Sequence, residues 1–488
     1  MAETSGSGVP QPNTISHRKA VLPYSAVGSR WERVSATTVC INSTFDQIEK
    51  TETRMHKYKI EGGIPIRGTV AASGNKNAAL PCIAAALLTE EPIILKNIPE
   101  IEDTNVMLLI LQALGAGVTK LKTHEWKIEA KEISSSNIPS ELSKKIRASI
   151  LFAGPLTART GKAILPPPGG DVIGRRRVDT HFLALQDLGA RIEIEGAFKF
   201  TTNKLVGADI FLDETSVTAT ENAVMAAVTA EGKTTITNAA SEPHVQDLCN
   251  MLVSMGAKIS GIGSNILNID GVKKLHGTEF SIGPDFMEIG SYIGLAAATR
   301  GSITITGVNA KDMRPLRVGF GKLGIKWTIE PGEGVNNDTL SVAVNQEMKV
   351  NSDLGGMIPK IDDSPWPGFP PDLTSIMTVV ATQVEGTALI FEKMFESRMF
   401  FVDKLISMGA KITLCDPHRA VVSGPSTLHG DNLVSPDVRA GMAMVIAALC
   451  AHGESVISNV YQIERGYENL VEKLQSLGAH IEKIELDY

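Results

Sequence analysis

The chain of 488 residues is longer than the size at which one hydrophobic core usually stops growing, so two domains are expected. Its net charge of −7 argues against a general binder of nucleic acid or of anionic membranes, because both need an excess of Lys and Arg. Five scattered cysteines without a C-x-x-C pair indicate a reducing compartment and no structural zinc, and no apolar run approaches the roughly 20 residues that span a bilayer.

Residues 1–54 differ in composition from the rest of the chain. They are rich in Ser and Thr, show no sustained periodicity, and lack the apolar core of a secretory signal. We predict that they form a disordered extension, or that translation begins at Met55. A cytoplasmic protein is expected in either case.

A short motif, Leu or Met followed by Gly and a hydrophobic run, recurs six times after residue 54. Its glycines stand at positions 115, 189, 256, 324, 409 and 478. The motif is typical of a helix that ends at a left-handed glycine and is followed by a strand. An Ala-rich helix followed by a β-branched strand recurs between the copies, as in AAATRGSITITG. These units of about 70 residues predict two similar α/β domains of three units each, although their spacing does not determine how they pack.

Three loops in the first half of the chain carry candidate binding residues. SGNKNAALP places Lys76 and Asn77 at the start of an Ala-rich helix, which suits a phosphate or carboxylate but also fits a helix cap with an exposed lysine. In KKIRASILFAGPL, Arg147 opens an apolar helix and could cap, pair with an acid or hold an anion. In PPPGGDVIGRRRVDTHF, the prolines and glycines could act as a hinge that places Asp171 over a site. Arg176 could bind an anion through two hydrogen bonds. The alternative is an acidic surface tip followed by a solvated basic run.

The second half adds an acid and three arginines at similar positions. Asp372, in DDSPWPGFPPDLTSIM, is either a helix N-cap or a fixed carboxylate able to accept a proton. Arg398, Arg439 and Arg465 each stand near a predicted unit junction, where a structural salt bridge is the ordinary role for one such residue. Together with Lys76, Arg147 and Arg176 they favour a site for a multiply anionic substrate in an acidic protein.

The ordered motifs are specific enough to indicate a family. SGNKNAALP, IRASILFAGPL, LPPPGGDVIGRRRVDTHF, SVTATENAVMAA, FPPDLTS, MFESRMF, DVRAGMA and IERGYENL resemble the UDP-N-acetylglucosamine 1-carboxyvinyltransferase family of enolpyruvyl transferases, from about Lys57 to the C-terminus. The resemblance implies two similar inside-out α/β barrel domains within the α/β (α+β) class. We expect residues 75–284 to form the first domain and residues 55–74 plus 285–488 to form the second.

The resemblance also implies an activity. Members transfer the enolpyruvyl group of phosphoenolpyruvate to the 3-hydroxyl of UDP-N-acetylglucosamine and release phosphate, the first committed step of peptidoglycan synthesis in cell-wall biogenesis. The implied partners are these two small molecules, without nucleic acid, membrane, metal or organic cofactor. The oligomeric state stays open.

Site residues follow from the same resemblance. Lys76 and Asn77 match residues that meet phosphoenolpyruvate, with Arg176 and Arg465 near its phosphate and Arg439 near its carboxylate. Contacts to the UDP-sugar are matched by Arg147, Arg176, Arg177, Val178, Asp179, Thr180, Asp372 and Met394. Asp372 is the implied base for the 3-hydroxyl, Arg398 supports the sugar side, and the implied catalytic residues are Lys76, Asp171, Asp372 and Arg465.

Asp171 stands where most members of the family carry a cysteine that protonates the methylene carbon. An Asp normally titrates near pH 4, so it needs desolvation to hold a proton at neutral pH, and the neighbouring arginines oppose this. Because the antibiotic fosfomycin alkylates the usual cysteine, we hypothesise that this protein is insensitive to it.

Three further positions depart from the family pattern: Glu214 replaces a common Lys, Thr218 replaces a small Gly, and Phe286 replaces a frequent Arg. These changes concern nucleotide contacts and the domain junction. Two enzymatic or binding alternatives therefore stay open, a transferase that acts on shikimate 3-phosphate and a non-catalytic sensor of the UDP-sugar. A six-repeat scaffold for protein partners is a third, which the loop motifs disfavour.

Overall fold

The structure, a computed structural model, describes residues 56–170, 174 and 177–485. The predicted extension of residues 1–54 and the predicted site residues Asp171 and Arg176 lie outside the described residues. Within the described part, strands form six small sheets, five of four strands and one of three.

The chain begins with two strands that join sheets completed by distant segments, β1 (His56–Glu61) and β2 (Arg67–Ala71). A first set of elements follows in chain order: α1 (Lys76–Ala85), β3 (Ile93–Lys96), α2 (Glu102–Ala113), β4 (Gly117–Lys122), β5 (Glu125–Glu129), α3 (Ser140–Lys145), α4 (Ala153–Thr160), β6 (Lys162–Leu165), α5 (Asp179–Asp187), β7 (Arg191–Ile194), β8 (Phe198–Thr201), β9 (Asp209–Phe211), α6 (Val217–Ala227), β10 (Lys233–Thr237), α7 (Pro243–Ser254), β11 (Lys258–Ser260), β12 (Ile266–Asp270) and β13 (Thr278–Ser281). We call the elements from α1 to β13 lobe 1.

The remaining elements, with β1 and β2, make up lobe 2. They are α8 (Phe286–Ala298), β14 (Ser302–Val308), α9 (Arg314–Lys322), β15 (Thr328–Glu330), β16 (Asp338–Val342), β17 (Lys360–Asp362), α10 (Thr374–Thr382), β18 (Gly386–Phe391), α11 (Val402–Ser407), β19 (Lys411–Asp416), β20 (Arg419–Gly424), β21 (Asn432–Val434), α12 (Val438–Cys450), β22 (Glu454–Ser458), α13 (Tyr461–Glu464), α14 (Leu470–Ser476) and β23 (His480–Glu485).

All six sheets repeat one pattern. In the five four-stranded sheets, an edge strand runs parallel to its neighbour and the other two pairings are antiparallel, as in β9-β10-β12-β11. In the sheet β6-β8-β7 an isolated parallel bridge between Asn137 and Ile164 takes the place of the parallel edge strand. The recurrence of this pattern agrees with the six repeated units predicted from the sequence.

The repeated glycine motif ends helices as predicted. Each of its six glycines has a positive φ, between 73° and 106°, a backbone conformation that strains any other residue. In α2, for example, the chain leaves the helix at Leu114, passes through Gly115 and enters β4 two residues later. The motif therefore fixes where each helix turns back into its sheet.

Each lobe has its own hydrophobic core, one built from residues between 78 and 282 and the other from residues 58–70 and 286–481. Helices such as α8 and α12 are buried on almost all sides, which explains their apolar composition around the whole circumference. Residues Met55–Tyr488 nevertheless form one compact unit. The predicted domain boundaries, 75–284 and 55–74 plus 285–488, stay a proposal that the two separate cores support.

Two adjacent segments carry the chain between the lobes. Gly74 forms an antiparallel bridge with Pro284, Asn75 N–H donates to Gly283 O at 2.8 Å, and Asp285 N–H donates to Ser73 O at 2.9 Å. None of the helices in the described part of the chain is long and apolar enough to cross a membrane.

Candidate active site

The first predicted binding loop opens α1. Asn75 caps the helix by accepting a hydrogen bond from Ala78 N–H at 3.2 Å, and Lys76 is its first residue. The Lys76 side chain turns to Asp103, with Nζ 3.1 Å from Oδ2. Asn77 lies half-buried on the same first turn. Lys76 is therefore a paired cation, not the exposed lysine of the simpler interpretation.

Asp103, in the first turn of α2, joins that lysine to the other lobe. Its second oxygen, Oδ1, accepts a hydrogen bond from Arg465 Nε at 2.8 Å. Burial of the Asp103 carboxyl works to raise its pKa, but the charges of Lys76 and Arg465 outweigh burial and lower it. The sequence analysis missed Asp103, because an acid in the first turn of a helix ordinarily complements the helix dipole.

A second carboxylate, Asp372, also lies between two cations. It is part of the 3₁₀ turn Pro371–Leu373 that precedes α10, and its Oδ1 and Oδ2 accept hydrogen bonds from Arg398 Nη1 at 2.9 Å and Arg439 Nε at 3.1 Å. Burial works to raise the pKa of Asp372, but the two guanidinium groups hold it well below its usual range. Asp372 is thus an ionised partner of two arginines and does not cap α10.

Both arginines are buried, and each has one N–H donor that no described residue accepts. Arg398 lies over the Phe395 ring at 4.7 Å, and Arg439 lies over the Tyr467 ring at 5.1 Å with Nη2 4.0 Å from Asp285. Arg398 Nε and Arg439 Nη1 have no hydrogen-bond partner among the described residues. Buried cations with unused donors suit an anionic ligand, because leaving such donors unpaired costs free energy.

The predicted run before α5 forms a separate group in lobe 1. Arg147 opens an apolar helix as predicted, a 3₁₀ helix (Arg147–Phe152) that runs directly into α4, and its Nη2 donates to Arg177 O at 2.9 Å. Arg177 donates to Asp179 Oδ2 at 2.9 Å and to Asp213 Oδ2 at 3.2 Å, while Thr180 Oγ1 donates to Asp213 Oδ1 at 2.7 Å. Asp213, which the sequence analysis missed, therefore holds both ends of this run.

Val178 precedes α5 as its N-cap residue and makes no side-chain cap. Beyond it, a buried histidine explains one departure from the family pattern. Asn222 Oδ1 accepts from Gly154 N–H at 2.7 Å, so Asn222 Nδ2 is the atom that donates to His181 Nδ1 at 2.8 Å. The ring proton then lies on Nε2, which donates to Thr218 Oγ1 at 3.1 Å. Burial, with a smaller contribution from the charge of Arg147, lowers the pKa of His181 to about 3.

Segments of the two lobes meet at the loop that precedes α5. At Gly174, with φ 131°, an added Cβ would lie 2.2 Å from Glu396 Oε2 of lobe 2. Glu396 is close in sequence to Met394, whose side chain is 37% exposed and whose N–H donates to Asp363 Oδ2 at 3.3 Å. The predicted sugar-side residue Met394 therefore stands in the same segment as the contact between lobes.

The third departure, Phe286, opens α8 and is fully buried. Its ring stacks on His244 of lobe 1, with centroids 6.4 Å apart, and meets Trp366 edge to face at 5.4 Å. Ser241 Oγ of lobe 1 donates to Trp366 O at 3.2 Å. Glu214 is exposed. An aromatic contact thus joins the lobes where the family often has an arginine.

Four of the six basic residues predicted to converge form two pairs, each on one carboxylate, whereas Arg147 belongs to the separate group around Arg177 and Arg176 lies outside the described residues. Lys76 and Arg465 share Asp103, and Arg398 and Arg439 share Asp372. The pairs are connected through one short segment, since Tyr467 beneath Arg439 stands two residues after Arg465. Among the described residues, no three His, Cys, Asp or Glu side chains lie close enough together to hold a metal ion.

Comparison with known proteins identifies the family of this chain. A family model described as EPSP synthase (3-phosphoshikimate 1-carboxyvinyltransferase) matches residues 60–474. The UDP-N-acetylglucosamine 1-carboxyvinyltransferase of Treponema denticola is 72% identical over 428 residues, 88% of this chain and 99% of that protein. The chain belongs to the UDP-N-acetylglucosamine 1-carboxyvinyltransferase family. The member from Treponema pallidum is 64% identical over 429 residues, 88% of this chain and 100% of that protein.

The fold is that of the enolpyruvyl transferases. The crystal structure of the enolpyruvyl transferase NikO from Streptomyces tendae superposes with a TM-score of 0.77 at 23% identity, covering 89% of this chain and 100% of that one. The predicted fold class, two inside-out α/β barrels of six repeated units, is therefore confirmed. The predicted family membership is confirmed by the curated relatives.

Proposed function

We propose that this protein transfers the enolpyruvyl group of phosphoenolpyruvate to the 3-hydroxyl of UDP-N-acetylglucosamine and releases inorganic phosphate. The observation that carries the proposal is the 72% identity to a UDP-N-acetylglucosamine 1-carboxyvinyltransferase over nearly the whole of that enzyme. This reaction commits its sugar to peptidoglycan synthesis, and we propose that it takes place in the cytoplasm. The substrates are two small anionic molecules, and the two cation pairs of the site suit their charges.

The phosphoenolpyruvate side is assigned to Lys76, Asn77, Arg176, Arg439 and Arg465. Support for Lys76 and Arg465 comes from their common partner, Asp103, because two cations held 3.1 Å and 2.8 Å from one carboxylate can turn together toward a phosphate. Arg439 has a donor without a partner among the described residues, which suits the substrate carboxylate. The assignment of Arg176 rests on the sequence motif.

The UDP-sugar side is assigned to Asp372, Met394, Arg398 and the segment before α5. This segment comprises Arg176, Arg177 and Val178 and continues into the first turn of α5 with Asp179 and Thr180, and Arg147, which bonds to it, is assigned to the same side. Its described members are held by Asp213 on one side and by the Arg147 side chain on the other. The half-exposed Met394 supplies an apolar contact on the opposite lobe.

The chemistry needs one base and one acid. Asp372 takes the proton of the 3-hydroxyl as the sugar oxygen bonds to C2 of phosphoenolpyruvate, and Asp171 delivers a proton to the C3 methylene. The resulting tetrahedral ketal then loses inorganic phosphate from C2 and a proton from the new methyl group, which restores the double bond. Lys76 and Arg465 stabilise the charge on the departing phosphate.

The unliganded geometry makes Asp372 a weak base, since Arg398 and Arg439 lower its pKa. Anionic substrates that draw these guanidinium groups toward themselves would weaken that effect and raise the pKa of Asp372. Base strength would then increase when both substrates are bound, which protects phosphoenolpyruvate from reacting without an acceptor.

The test is phosphate release from phosphoenolpyruvate with UDP-N-acetylglucosamine in one reaction and shikimate 3-phosphate in another. Shikimate 3-phosphate is included because the family model that matches this chain is described as 3-phosphoshikimate 1-carboxyvinyltransferase. We expect release with the UDP-sugar alone. Release only with shikimate 3-phosphate would reassign the acceptor, and no release from folded protein in either reaction would favour a binding-only role.

A further inference from the structure

The turn between β18 and α11 carries three residues of functional interest. It holds Met394 on the sugar side, Glu396 against Gly174 of the other lobe, and Arg398 against Asp372. A displacement of this turn would therefore move a substrate contact, a contact between lobes and a partner of the proposed base together. What fixes the turn is accordingly important for the proposed reaction.

Two fully buried acids hold this turn from within. Asp363, the residue after β17, accepts the backbone N–H of Lys393 on Oδ1 and the N–H of Met394 on Oδ2. Glu392, the residue after β18, accepts Phe395 N–H on Oε1 at 3.2 Å. Three consecutive N–H groups, from Lys393 to Phe395, thus end on carboxyl oxygens.

The geometry also indicates that Glu392 holds a proton. Both Asp363 oxygens accept backbone N–H groups, whereas Glu392 Oε2 accepts none from the described residues, and the Glu392 carboxyl lies beside the Asp363 carboxyl and the Thr374 hydroxyl. A buried charged carboxylate is costly when one of its oxygens accepts no hydrogen bond, and a proton that Glu392 shares with the neighbouring Asp363 carboxylate removes the charge. Burial raises the pKa of Glu392 to about 8, Arg398 works against the rise, and Asp363 adds to it.

The charged and titratable groups around Glu392 come from several elements. Asp363 and Arg398 act on it directly, and the His418 ring, from the turn between β19 and β20, bonds to Glu392 O at 2.7 Å through Nδ1. Lys393 points away and pairs with Asp362. The only strong cation facing Glu392 in the described surroundings is thus Arg398, the same group that binds Asp372.

We propose that Glu392 and Asp363 are positioning residues that hold the turn of residues 392–398. As long as Glu392 is protonated, the Arg398 guanidinium stays bound to Asp372. Deprotonated Glu392 would repel Asp363 and hold Arg398 back from the anionic sugar substrate, so the turn and its sugar-side contacts would loosen. The consequence is a loss of turnover at alkaline pH that originates outside the reacting groups. This inference rests on the proposed function for its kinetic readout.

The main experiment compares the pH profiles of phosphate release for the wild-type protein and Glu392→Gln, with phosphoenolpyruvate and UDP-N-acetylglucosamine. Above pH 8 the wild-type kcat should fall about tenfold per pH unit, whereas Glu392→Gln should lack this alkaline fall. The matched control is Glu385→Gln, which removes an exposed acid paired with Lys349 on the same lobe and should keep the wild-type profile. Superimposable profiles for wild type and Glu392→Gln would overturn the proposal.

Asp363→Asn provides a second variant in case Glu392→Gln does not fold. Because the charge of Asp363 adds to the raised pKa of Glu392, its loss should shift the alkaline fall to lower pH by roughly half a pH unit. The KM for the UDP-sugar should rise more than the KM for phosphoenolpyruvate, since Met394 lies on the sugar side. An equal loss of activity at all pH values, with no shift, would indicate a merely structural role and refute the proposal.

Thermal unfolding separates a failure of this inference from a failure of the proposed function. Glu392 has a pKa raised in the folded state, so the stability it contributes is present in acid and is lost as the pH rises toward 8. Glu392→Gln and wild type should therefore unfold at similar temperatures near pH 5, with the variant higher near pH 9. If the wild-type protein releases no phosphate, the proposed function fails. Equal unfolding temperatures of wild type and Glu392→Gln at both pH values would independently refute the proposal that Glu392 is protonated.

Discussion

Asp103 of lobe 1 accepts a hydrogen bond at 2.8 Å from Arg465 of lobe 2, and both side chains are almost entirely buried. The same carboxylate holds Lys76 at 3.1 Å, so one acid sets the position of two cations that come from different lobes. Opening of the lobes would separate Arg465 from Asp103. The bridge therefore links the contact between the lobes to the proposed phosphate site.

Asp103→Asn should destabilise the protein by about 3 kcal/mol at neutral pH, because it removes the carboxylate that two largely buried cations share. The pKa of Asp103 is lowered in the folded state, so its contribution exists above the ordinary pKa of an Asp, about 4, and is lost as the pH falls through the lowered value. Urea unfolding at pH 7 and at pH 3 measures the free energy of unfolding of wild type and variant. If the difference between the two free energies did not shrink at pH 3, the lowered pKa of Asp103 would be contradicted.

Asp372→Asn should reduce kcat by at least about a hundredfold, the size of a lost general base, while Arg398 and Arg439 keep their packing. The amide still accepts one hydrogen bond, so the binding of UDP-N-acetylglucosamine, measured by calorimetry, should change far less than kcat. Asp270→Asn, which changes an exposed acid of β12 outside the proposed site, is the matched control. Near-normal turnover in Asp372→Asn would remove this residue from the mechanism.

Thr218→Val should destabilise the protein by about 1 kcal/mol, because it leaves the Nε2–H of buried His181 without its acceptor. Thr218→Ser keeps the hydroxyl and should unfold at nearly the wild-type urea concentration. Since the pKa of His181 is about 3, the difference between the two variants should be the same at pH 6 and pH 8. A difference that changed over this range would show that His181 titrates there, against the neutral tautomer deduced from Asn222.

The sequence predicted the repeat because it depends on local patterns, whereas the packing of the units into inside-out barrels came from the resemblance to the family. The glycine motif requires a positive φ, and all six of its glycines have one. Patterns of this kind also located the loops that carry Lys76, Asp372, Arg398, Arg439 and Arg465. Local sequence therefore identified most of the cations around the two central carboxylates.

The partners of those cations could not be predicted in the same way. Asp103 and Arg465 are 362 positions apart, and Asp363 acts on a turn 30 residues away, so only tertiary packing brings them together. Asp103 and Asp213 also look like ordinary helix-start or surface acids when they are read alone. The charge balance that lowers the pKa of Asp372 depends on two arginines from different segments, which residue spacing does not reveal.

Asp171 supplies the last prediction, although it lies outside the described residues. A carboxylic acid and a thiol can each deliver a proton to the methylene carbon, whereas an amide cannot, so Asp171→Asn should lower turnover at least about a hundredfold and Asp171→Cys should retain it. Because a thiolate is the nucleophile that fosfomycin alkylates, Asp171→Cys should also become inactivated by the drug with a covalent mass increase, and wild type should not. Mass spectrometry after incubation with fosfomycin measures the covalent modification of the variant and of the wild-type protein. An active Asp171→Cys variant that stayed unmodified would place the resistance elsewhere, and a modified wild-type protein would refute the predicted insensitivity.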